Sequence, residues 1–328
     1  MSTSSSVDKA PVSPEDIKTA QQRIAGALRP TPLLTHPLLT QALDADVYVK
    51  HENHNPTGAF KVRGGLNLIG ALQDDLRSRG VITASTGNHG QSIAFACHRE
   101  GIPCSVYVPV GNNPDKNAAM RAWGATVVEV GRDFDDAREA VEREAARSHV
   151  RYVHSANEPL LIAGVATLAA ELYEAIVPDV VFVPIGGGSG AMGMCLVRSA
   201  LNLPTRVIGV QAERADTFTR SWRTGTRVTG PHPETFAEGM ATRTTFDLTF
   251  DYLARALDDI VTLSEDELAD GVRMALALTH NLAEAAGAAS LAAAKKRATD
   301  IKGKIVACVM TGGNIDGATL RRVLTTSP

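Results

Sequence analysis

The sequence alternates short runs of β-branched apolar residues with longer stretches of helical periodicity. The short runs predict seven strands, at 46–50, 81–84, 105–110, 126–130, 180–185, 206–211 and 305–310. The longer stretches predict helices at 90–100, 116–123, 134–147, 190–201 and 265–278, and Ser13-Pro14 predicts the start of a first helix. Strands that alternate with helices form parallel sheets with helices on both faces. The chain is therefore predicted to be an α/β protein.

Composition and charge exclude several other classes of protein. With 328 residues, 44% of them hydrophobic, the chain can bury a core without disulfides or structural metals. The formal net charge of −3 gives no excess of positive charge to neutralise a nucleic-acid backbone. No window approaches the roughly 18 consecutive apolar residues that span a bilayer, and the four cysteines are too far apart for a metal or disulfide motif. We therefore expect a cytoplasmic protein that binds neither nucleic acid nor membrane.

In open α/β sheets, ligands bind beyond the carboxyl ends of the strands, so the loops that follow strands are the places to look for chemistry. The first such loop reads N-P-T-G-A-F-K-V-R-G-G over residues 55–65. It places Lys61 at a predicted helix start, next to Phe60 and close to Arg63. A lysine that is removed from water near another cation has a lowered pKa, as a Schiff-base nucleophile requires. Considered alone, a lysine at this position is more often simply solvated.

Two further loops have the same position after a strand. Residues 85–91 read S-T-G-N-H-G-Q and lead into an alanine-rich helix. Glycines and small hydroxyl residues at a helix N-terminus expose N–H groups that bind a carboxylate or phosphate, although a capped turn would look the same. Residues 311–316 read T-G-G-N-I-D, where the Thr311 hydroxyl is a candidate contact for a bound ring and an ordinary turn is the alternative.

The most glycine-rich loop, G-G-G-S-G-A-M-G at residues 186–193, supports two interpretations. Gly188, Gly190 and Gly193 fit the G-x-G-x-x-G pattern, and Glu213 follows 20 residues after Gly193. Together they form the fingerprint of a dinucleotide site, which would make the chain an NAD-dependent oxidoreductase. The alternative is a cradle for the phosphate of a smaller cofactor. The loop alone predicts anion binding and leaves the cofactor open.

Taken in order, the motifs P-T-G-A-F-K-V-R-G-G, S-T-G-N-H-G-Q, G-G-G-S-G and T-G-G-N resemble the signature of fold type II pyridoxal-phosphate (PLP) enzymes. Within that group the chain resembles the serine/threonine dehydratase and serine racemase family, from about Pro30 to Asp316. The resemblance implies a tryptophan synthase β-like fold with two open, twisted, mostly parallel sheets flanked by helices. It further implies a homodimer whose large PLP-binding domain comprises residues 1–79 plus 158–328, with a small α/β domain, residues 80–157, inserted. It disfavours the dinucleotide interpretation, because such an enzyme has no use for the Lys61 loop.

The same resemblance implies roles for individual residues. Lys61 would hold PLP as a Schiff base and then act as the general base, with Phe60 beside the ring. Asn88 would contact the ring 3′-hydroxyl, Thr311 the ring nitrogen, and Glu284 the surroundings of the ring. The phosphate would be bound by Gly186, Gly187, Gly188, Ser189 and Gly190. The site for the substrate carboxylate would be lined by Ser85, Thr86, Gly87 and His89.

The implied reaction is an α,β-elimination that converts a β-hydroxy-L-amino acid to a 2-oxo acid and ammonia. A neutral Thr311 hydroxyl cannot keep the pyridine nitrogen protonated as a carboxylate would, which favours elimination over transamination. The substrate stays open between serine or threonine, phenylserine, hydroxyaspartate and a hydroxyectoine-derived compound, since residues 51–61 and 111–120 also resemble the hydroxyectoine-utilisation dehydratase branch. The completeness of the catalytic loops argues against a binding protein without turnover.

Two positions depart from the family pattern. Thr86 stands where serine racemase has a catalytic serine, and its additional methyl group restricts rotation of the hydroxyl. Racemisation is therefore the weaker alternative activity. Glu213 matches only part of the family's cation-binding segment, and it is our candidate ligand for a monovalent or divalent cation.

Overall fold

The structure is a computed structural model that describes residues 10–325. Its strands, in chain order, are β1 (Leu33–Thr35), β2 (Asp46–His51), β3 (Val81–Ala84), β4 (Cys104–Val108), β5 (Thr126–Glu129), β6 (Arg151–Tyr152), β7 (Val180–Pro184), β8 (Arg206–Ala212), β9 (Asp259–Leu263) and β10 (Ile305–Met310). Its α-helices are α1 (Pro14–Ile24), α2 (Pro37–Leu43), α3 (Lys61–Gly70), α4 (Asp74–Arg79), α5 (Asn88–Glu100), α6 (Pro114–Ala122), α7 (Phe134–Ser148), α8 (Pro159–Ala175), α9 (Ser189–Ala200), α10 (Thr217–Thr224), α11 (Asp247–Ala256), α12 (Glu265–Thr279), α13 (Ala285–Lys296), α14 (Ala298–Ile301) and α15 (Gly317–Thr325). Within residues 10–325, no helix has the length and apolar character needed to cross a membrane.

The strands form two sheets, which confirms the predicted α/β class. One has six strands in the order β1-β2-β10-β7-β8-β9 and is parallel except for the antiparallel edge strand β1. The other has four parallel strands in the order β5-β4-β3-β6. The four-stranded sheet uses residues between 81 and 152, whereas the six-stranded sheet takes strands from both sides of that segment. The predicted domain boundaries at residues 80 and 158 stay a prediction.

The predicted strands and helices are all present, with ends that differ by no more than two residues. At α1, the side chain of Ser13 accepts the N–H of Asp16, and the carboxylate of Asp16 accepts the N–H of Ser13, which forms a capping box. The sequence pattern missed helices that lie inside the protein, such as α8 and α13. Helix α13 buries ten of its twelve residues, so it lacks the polar face that makes a helix recognisable from its periodicity.

A buried cluster of charges ties the start of α3 to its surroundings. Arg63 is fully buried and donates from Nε to Oε2 of Glu52 (2.7 Å) and from Nη1 to Oε1 of Glu171 (2.6 Å). Lys50 Nζ donates to Oε2 of Glu171 (2.5 Å) and to the carbonyl of Thr31 (2.9 Å). Burial alone would raise the pKa of Glu52, but the charge and hydrogen bonds of Arg63, together with the charge of Lys50 and a hydrogen bond from Thr31, outweigh burial and lower that pKa. Two cations thus face two anions, and together they join β2, α3 and α8.

Candidate active site

The loops that follow β2, β3, β7 and β10 surround one cavity of about 470 Å³. These loops supply most of the residues singled out from the sequence, and Glu284 joins them from the segment before α13. The residues of this set that line the cavity are Phe60, Lys61, Ser85, Thr86, Gly87, Asn88, His89, Gly186, Gly187, Gly188, Ser189, Gly190, Glu284 and Thr311. The fold therefore brings together every predicted site residue except Glu213.

Lys61 is the first residue of α3, and its side chain reaches the cavity. Its Nζ donates to Oγ of Ser189 at 3.5 Å and lies 5.4 Å from the centre of the Phe60 ring. Within the described part of the chain, no carboxylate forms an ion pair with it. Burial lowers the pKa of Lys61 to about 8. The predicted cause was removal from water near another cation; burial is confirmed as the cause, but the cation is not, because Arg63 is neutralised by its own ion pairs.

This pKa predicts how the amine of Lys61 reacts in the apoprotein. The neutral amine is the nucleophile, so its reaction with formaldehyde and cyanoborohydride should rise with pH and reach half its maximum near pH 8. At pH 7 about a tenth of the amine is neutral, against less than about a thousandth for a lysine of ordinary pKa near 10.4. Mass spectrometry of peptides after labelling at each pH measures the midpoint.

Lys302 is the matched control, because a hydrogen bond and the charge of Asp44 raise the pKa of this exposed lysine. Its labelling midpoint should lie above that of an ordinary lysine. A Lys61 midpoint equal to that of Lys302 would contradict the burial of Lys61.

The glycine loop is shaped to hold an anion. Gly188 has φ of +88°, a left-handed conformation that glycine adopts without strain, and α9 begins at the next residue, Ser189. A methyl group placed on Gly186 would lie 2.2 Å from the carbonyl oxygen of Gly239, so no side chain fits there. The loop N–H groups stand at the positive end of α9, which is a favourable position for a phosphate.

The amide of Asn88 is held from both sides. Its Nδ2 donates to Oε1 of Glu284, and its Oδ1 accepts from Nδ2 of Asn314 at 2.7 Å. Asn314 also donates to the carbonyl of Thr57 at 2.9 Å. Burial raises the pKa of Glu284. The sequence placed Asn314 in the T-G-G-N motif but gave it no role, and the structure shows that it fixes the orientation of Asn88.

The loop expected to take the substrate carboxylate is held in shape by its own side chains. Ser85 Oγ accepts the N–H groups of Gly87 (3.1 Å) and Gly90 (2.9 Å). The ring of His89 is buried and hydrogen-bonds through Nε2 to the hydroxyl of Thr83 at 2.9 Å. Burial, followed by the charge of Lys61, lowers the pKa of His89 to about 3, so this imidazole is neutral at physiological pH. What the loop offers an anion is therefore its backbone N–H groups at the start of α5.

Of the two remaining predicted residues, Thr311 lies at the cavity and Glu213 does not. Thr311 is buried at the cavity, and its hydroxyl donates to the carbonyl of Ala286 at 3.3 Å. Glu213 lies outside the cavity, after β8, with Oε1 3.7 Å from Nζ of Lys296. Over residues 10–325, no group of three or more His, Cys, Asp or Glu side chains is placed to hold a metal. A cation at Glu213 stays a prediction.

The cavity also contains charged residues that were missed from the sequence, among them Lys116, Glu238 and Arg243. Lys116 projects from the first turn of α6, which follows β4, and Glu238 and Arg243 come from the segment between α10 and α11. Lys116 forms an ion pair with Glu238 and is only 8% exposed. The signal that could have identified Lys116 is its place after a strand, as in the other four loops.

Comparisons with known proteins agree with this geometry. A family model described as "Pyridoxal-phosphate dependent enzyme" matches residues 24–312. The chain is 37% identical over 312 residues to L-threonine ammonia-lyase of Thermotoga maritima, covering 94% of this chain and 77% of that protein. It is 34% identical over 303 residues to beta-hydroxyaspartate dehydratase of Paracoccus denitrificans, covering 92% and 96%. The solved structure of serine racemase from Dictyostelium discoideum is similar, with a TM-score of 0.86, 30% identity and coverage of 94% and 100%. These similarities confirm the predicted fold.

Proposed function

Because the chain belongs to the family of pyridoxal-phosphate dependent enzymes and is a deaminating lyase, we propose that it converts a β-hydroxy-L-amino acid of the serine or threonine type to the 2-oxo acid and ammonia. The observation that carries the proposal is Lys61, a lysine without an ion-pair partner in the described structure, in a cavity that also contains a glycine cradle for a phosphate. The relative named as a threonine ammonia-lyase supports the substrate class.

The residues present fit PLP. The cradle at Gly186 is closed to side chains by the backbone of Gly239, and the N–H groups before α9 suit a phosphate. Lys61 offers an amine of lowered pKa for covalent attachment to the aldehyde. Thr311 provides a neutral hydroxyl, and Asn88 an amide of fixed orientation. Bound there, PLP supplies an electron sink for the charge that develops at the substrate Cα when its proton leaves.

Residues of this chain remove the substrate proton and orient the substrate. Lys61 Nζ takes the proton from the substrate Cα, a task that suits an amine with a pKa of about 8, since a pKa near the working pH is best for a general base. The N–H groups at the start of α5 orient the substrate through its α-carboxylate. The Thr311 hydroxyl places no charge at the ring nitrogen, and this favours elimination over transamination.

The dinucleotide interpretation of residues 186–193 is wrong. The chain belongs to the family of pyridoxal-phosphate dependent enzymes, whose cofactor is not a dinucleotide. Glu213, the supposed ribose ligand, lies outside the cavity and is paired with Lys296. The third glycine of the pattern, Gly193, has a packing role, because a methyl group there would lie 2.8 Å from Cα of Ala166 in α8.

Hydroxyaspartate is the second candidate substrate. The cavity contains Arg243, whose buried Nε has no hydrogen-bond partner in the described structure and which an acidic substrate side chain can use, and one relative is named as a beta-hydroxyaspartate dehydratase. Phenylserine, a hydroxyectoine-derived compound and racemisation remain alternatives without a specific contact in their favour. Thr86 lines the cavity but has no described contact that marks it as a second base.

The same proposal includes a homodimer in the cytoplasm. All four cysteines are free and buried, which suits a reducing compartment.

Ammonia release by the PLP-loaded enzyme tests the proposal. The substrates are L-serine, L-threonine, threo-phenylserine and β-hydroxyaspartate, with the 2-oxo acid and the chirality of the remaining substrate measured in parallel. We expect equal amounts of ammonia and 2-oxo acid from at least one substrate. Absence of turnover with all four, or racemisation without ammonia, would contradict it.

A further inference from the structure

Lys116 is a buried cation next to the loop expected to take the substrate carboxylate. A methyl group placed on Gly87 would lie 2.9 Å from Cδ and 3.5 Å from Nζ of Lys116, so the ammonium group stands directly beside the backbone of Gly87. Both residues line the cavity. An ammonium and a row of N–H groups in one wall form a site for a carboxylate.

The carboxylate that now contacts Lys116 is the most easily displaced of those around it. Glu238 lies on a short 3₁₀ helix, Glu238–Met240, and its side chain is 45% exposed, against 9% for Lys116. Glu284 already accepts from Asn88, and Asp316 accepts the N–H of Thr319 at the start of α15. Glu238 can therefore return to water at small cost, whereas the ammonium of Lys116 cannot.

Exchange of one carboxylate for another conserves the charge around Lys116. Burial alone would lower the pKa of Lys116, but the carboxylates of Glu284 and Glu238 outweigh it and raise that pKa. The group therefore stays charged and requires a partner. A substrate carboxylate that replaces Glu238 meets this requirement, whereas a neutral substrate group would leave the ammonium unpaired.

Each of the other cations of the cavity has a role or a carboxylate of its own. Lys61 is reserved for PLP. The side chain of Arg132 is 92% exposed and pairs with Asp136. Arg243 lies between Asp133 (3.8 Å) and Asp135 (3.4 Å).

We propose that Lys116 is a specificity-determining residue that binds the α-carboxylate of the substrate. Before the substrate binds, Glu238 forms an ion pair with Lys116, and the substrate carboxylate displaces Glu238. The inference rests on the proposed function, since it concerns an amino acid bound at the PLP site. It predicts that the enzyme prefers ligands with a free carboxylate. It also predicts that Glu238 competes for Lys116 with every ligand that carries a carboxylate.

Calorimetric titration of the holoenzyme with two ligands tests this. L-alanine has the carboxylate but no β-hydroxyl to lose, and L-alaninamide has a neutral amide in place of the carboxylate. Lys116→Met should weaken binding of L-alanine about tenfold to a hundredfold, the value of a charged hydrogen bond, and change that of L-alaninamide less than about twofold. Lys116→Arg should retain most of the affinity for L-alanine. Glu238→Gln should tighten L-alanine binding severalfold, and Arg143→Met, at an exposed arginine of α7 that does not line the cavity, should change nothing.

The possible outcomes are distinct. Unchanged L-alanine binding by Lys116→Met, or an equal loss for both ligands, would overturn the role of Lys116. If Lys116→Met does not fold, as judged by circular dichroism, Glu238→Gln decides alone, and unchanged or weaker L-alanine binding by that variant overturns the inference. Failure of wild-type protein to acquire PLP or to bind L-alanine would defeat the proposed function itself.

Discussion

Replacing Lys61 by alanine should lower the rate of ammonia release from the best substrate by at least about 10⁴-fold. The variant loses both the covalent link to PLP and the base that acts on the substrate Cα, and general base catalysis alone contributes about 10²–10⁴-fold. The visible absorbance of lysine-bound PLP should disappear as well. Steady-state kinetics and absorbance spectra of the purified variant measure both effects.

Two further variants control this result. Lys61→Arg keeps a positive charge at the site but cannot form the link, so it should be as inactive as the alanine variant. Lys18→Ala, at an exposed lysine of α1, should retain full activity. Lys61→Ala itself should fold, because removing the buried amine of Lys61 breaks no ion pair of the described structure. Activity of Lys61→Ala within tenfold of wild type would contradict the assignment.

Replacing Arg63 by methionine should lower the free energy of unfolding by about 3–5 kcal/mol, the usual cost of breaking a buried ion pair by removing one partner. The guanidinium is fully buried between Glu52 and Glu171, and methionine leaves those carboxylates with Lys50 as their only cation in the cluster. The free energy of unfolding of an ordinary protein is about 5–15 kcal/mol, so this loss would be a large fraction of the total. Urea denaturation measures the shift in midpoint, with the slope expected to be unchanged.

The exposed pair of Arg143 and Glu139 is the matched control for this prediction. Their nearest charged atoms are 3.8 Å apart and both side chains are more than half exposed, so Arg143→Met should change stability by less than about 1 kcal/mol. Equal effects at Arg63 and Arg143 would show that the buried cluster does not stabilise the fold.

The sequence predicted those parts of the fold that have a local signal. Strand β7 is a run of apolar residues between loops, and α1 begins with a capping box, so each could be identified from a few neighbouring residues. Helix α13 was missed because it is apolar on every side. Strand β9 was missed because a five-residue run, D-I-V-T-L, lacks a distinctive pattern until it pairs with β8.

The residues of the candidate site also divide into those with a local signal in the sequence and those without one. Lys61, Asn88 and the glycines at 186–190 belong to contiguous motifs, and their types already indicate their chemistry. Lys116 and Glu238 are 122 positions apart, and their contact depends on how the two sheets are arranged. The cause of the lowered pKa of Lys61 also required the structure, since only the fold shows that Arg63 points to Glu52 and Glu171.

The most direct test of the account is to find which residue holds PLP. Borohydride reduction of the holoenzyme converts the bond between the cofactor and its lysine to a stable amine, and peptide mass spectrometry then locates the added phosphopyridoxyl group. The account predicts one group per chain, on Lys61. A group on Lys116 or another lysine, or no group on a protein that is active without PLP, would contradict it.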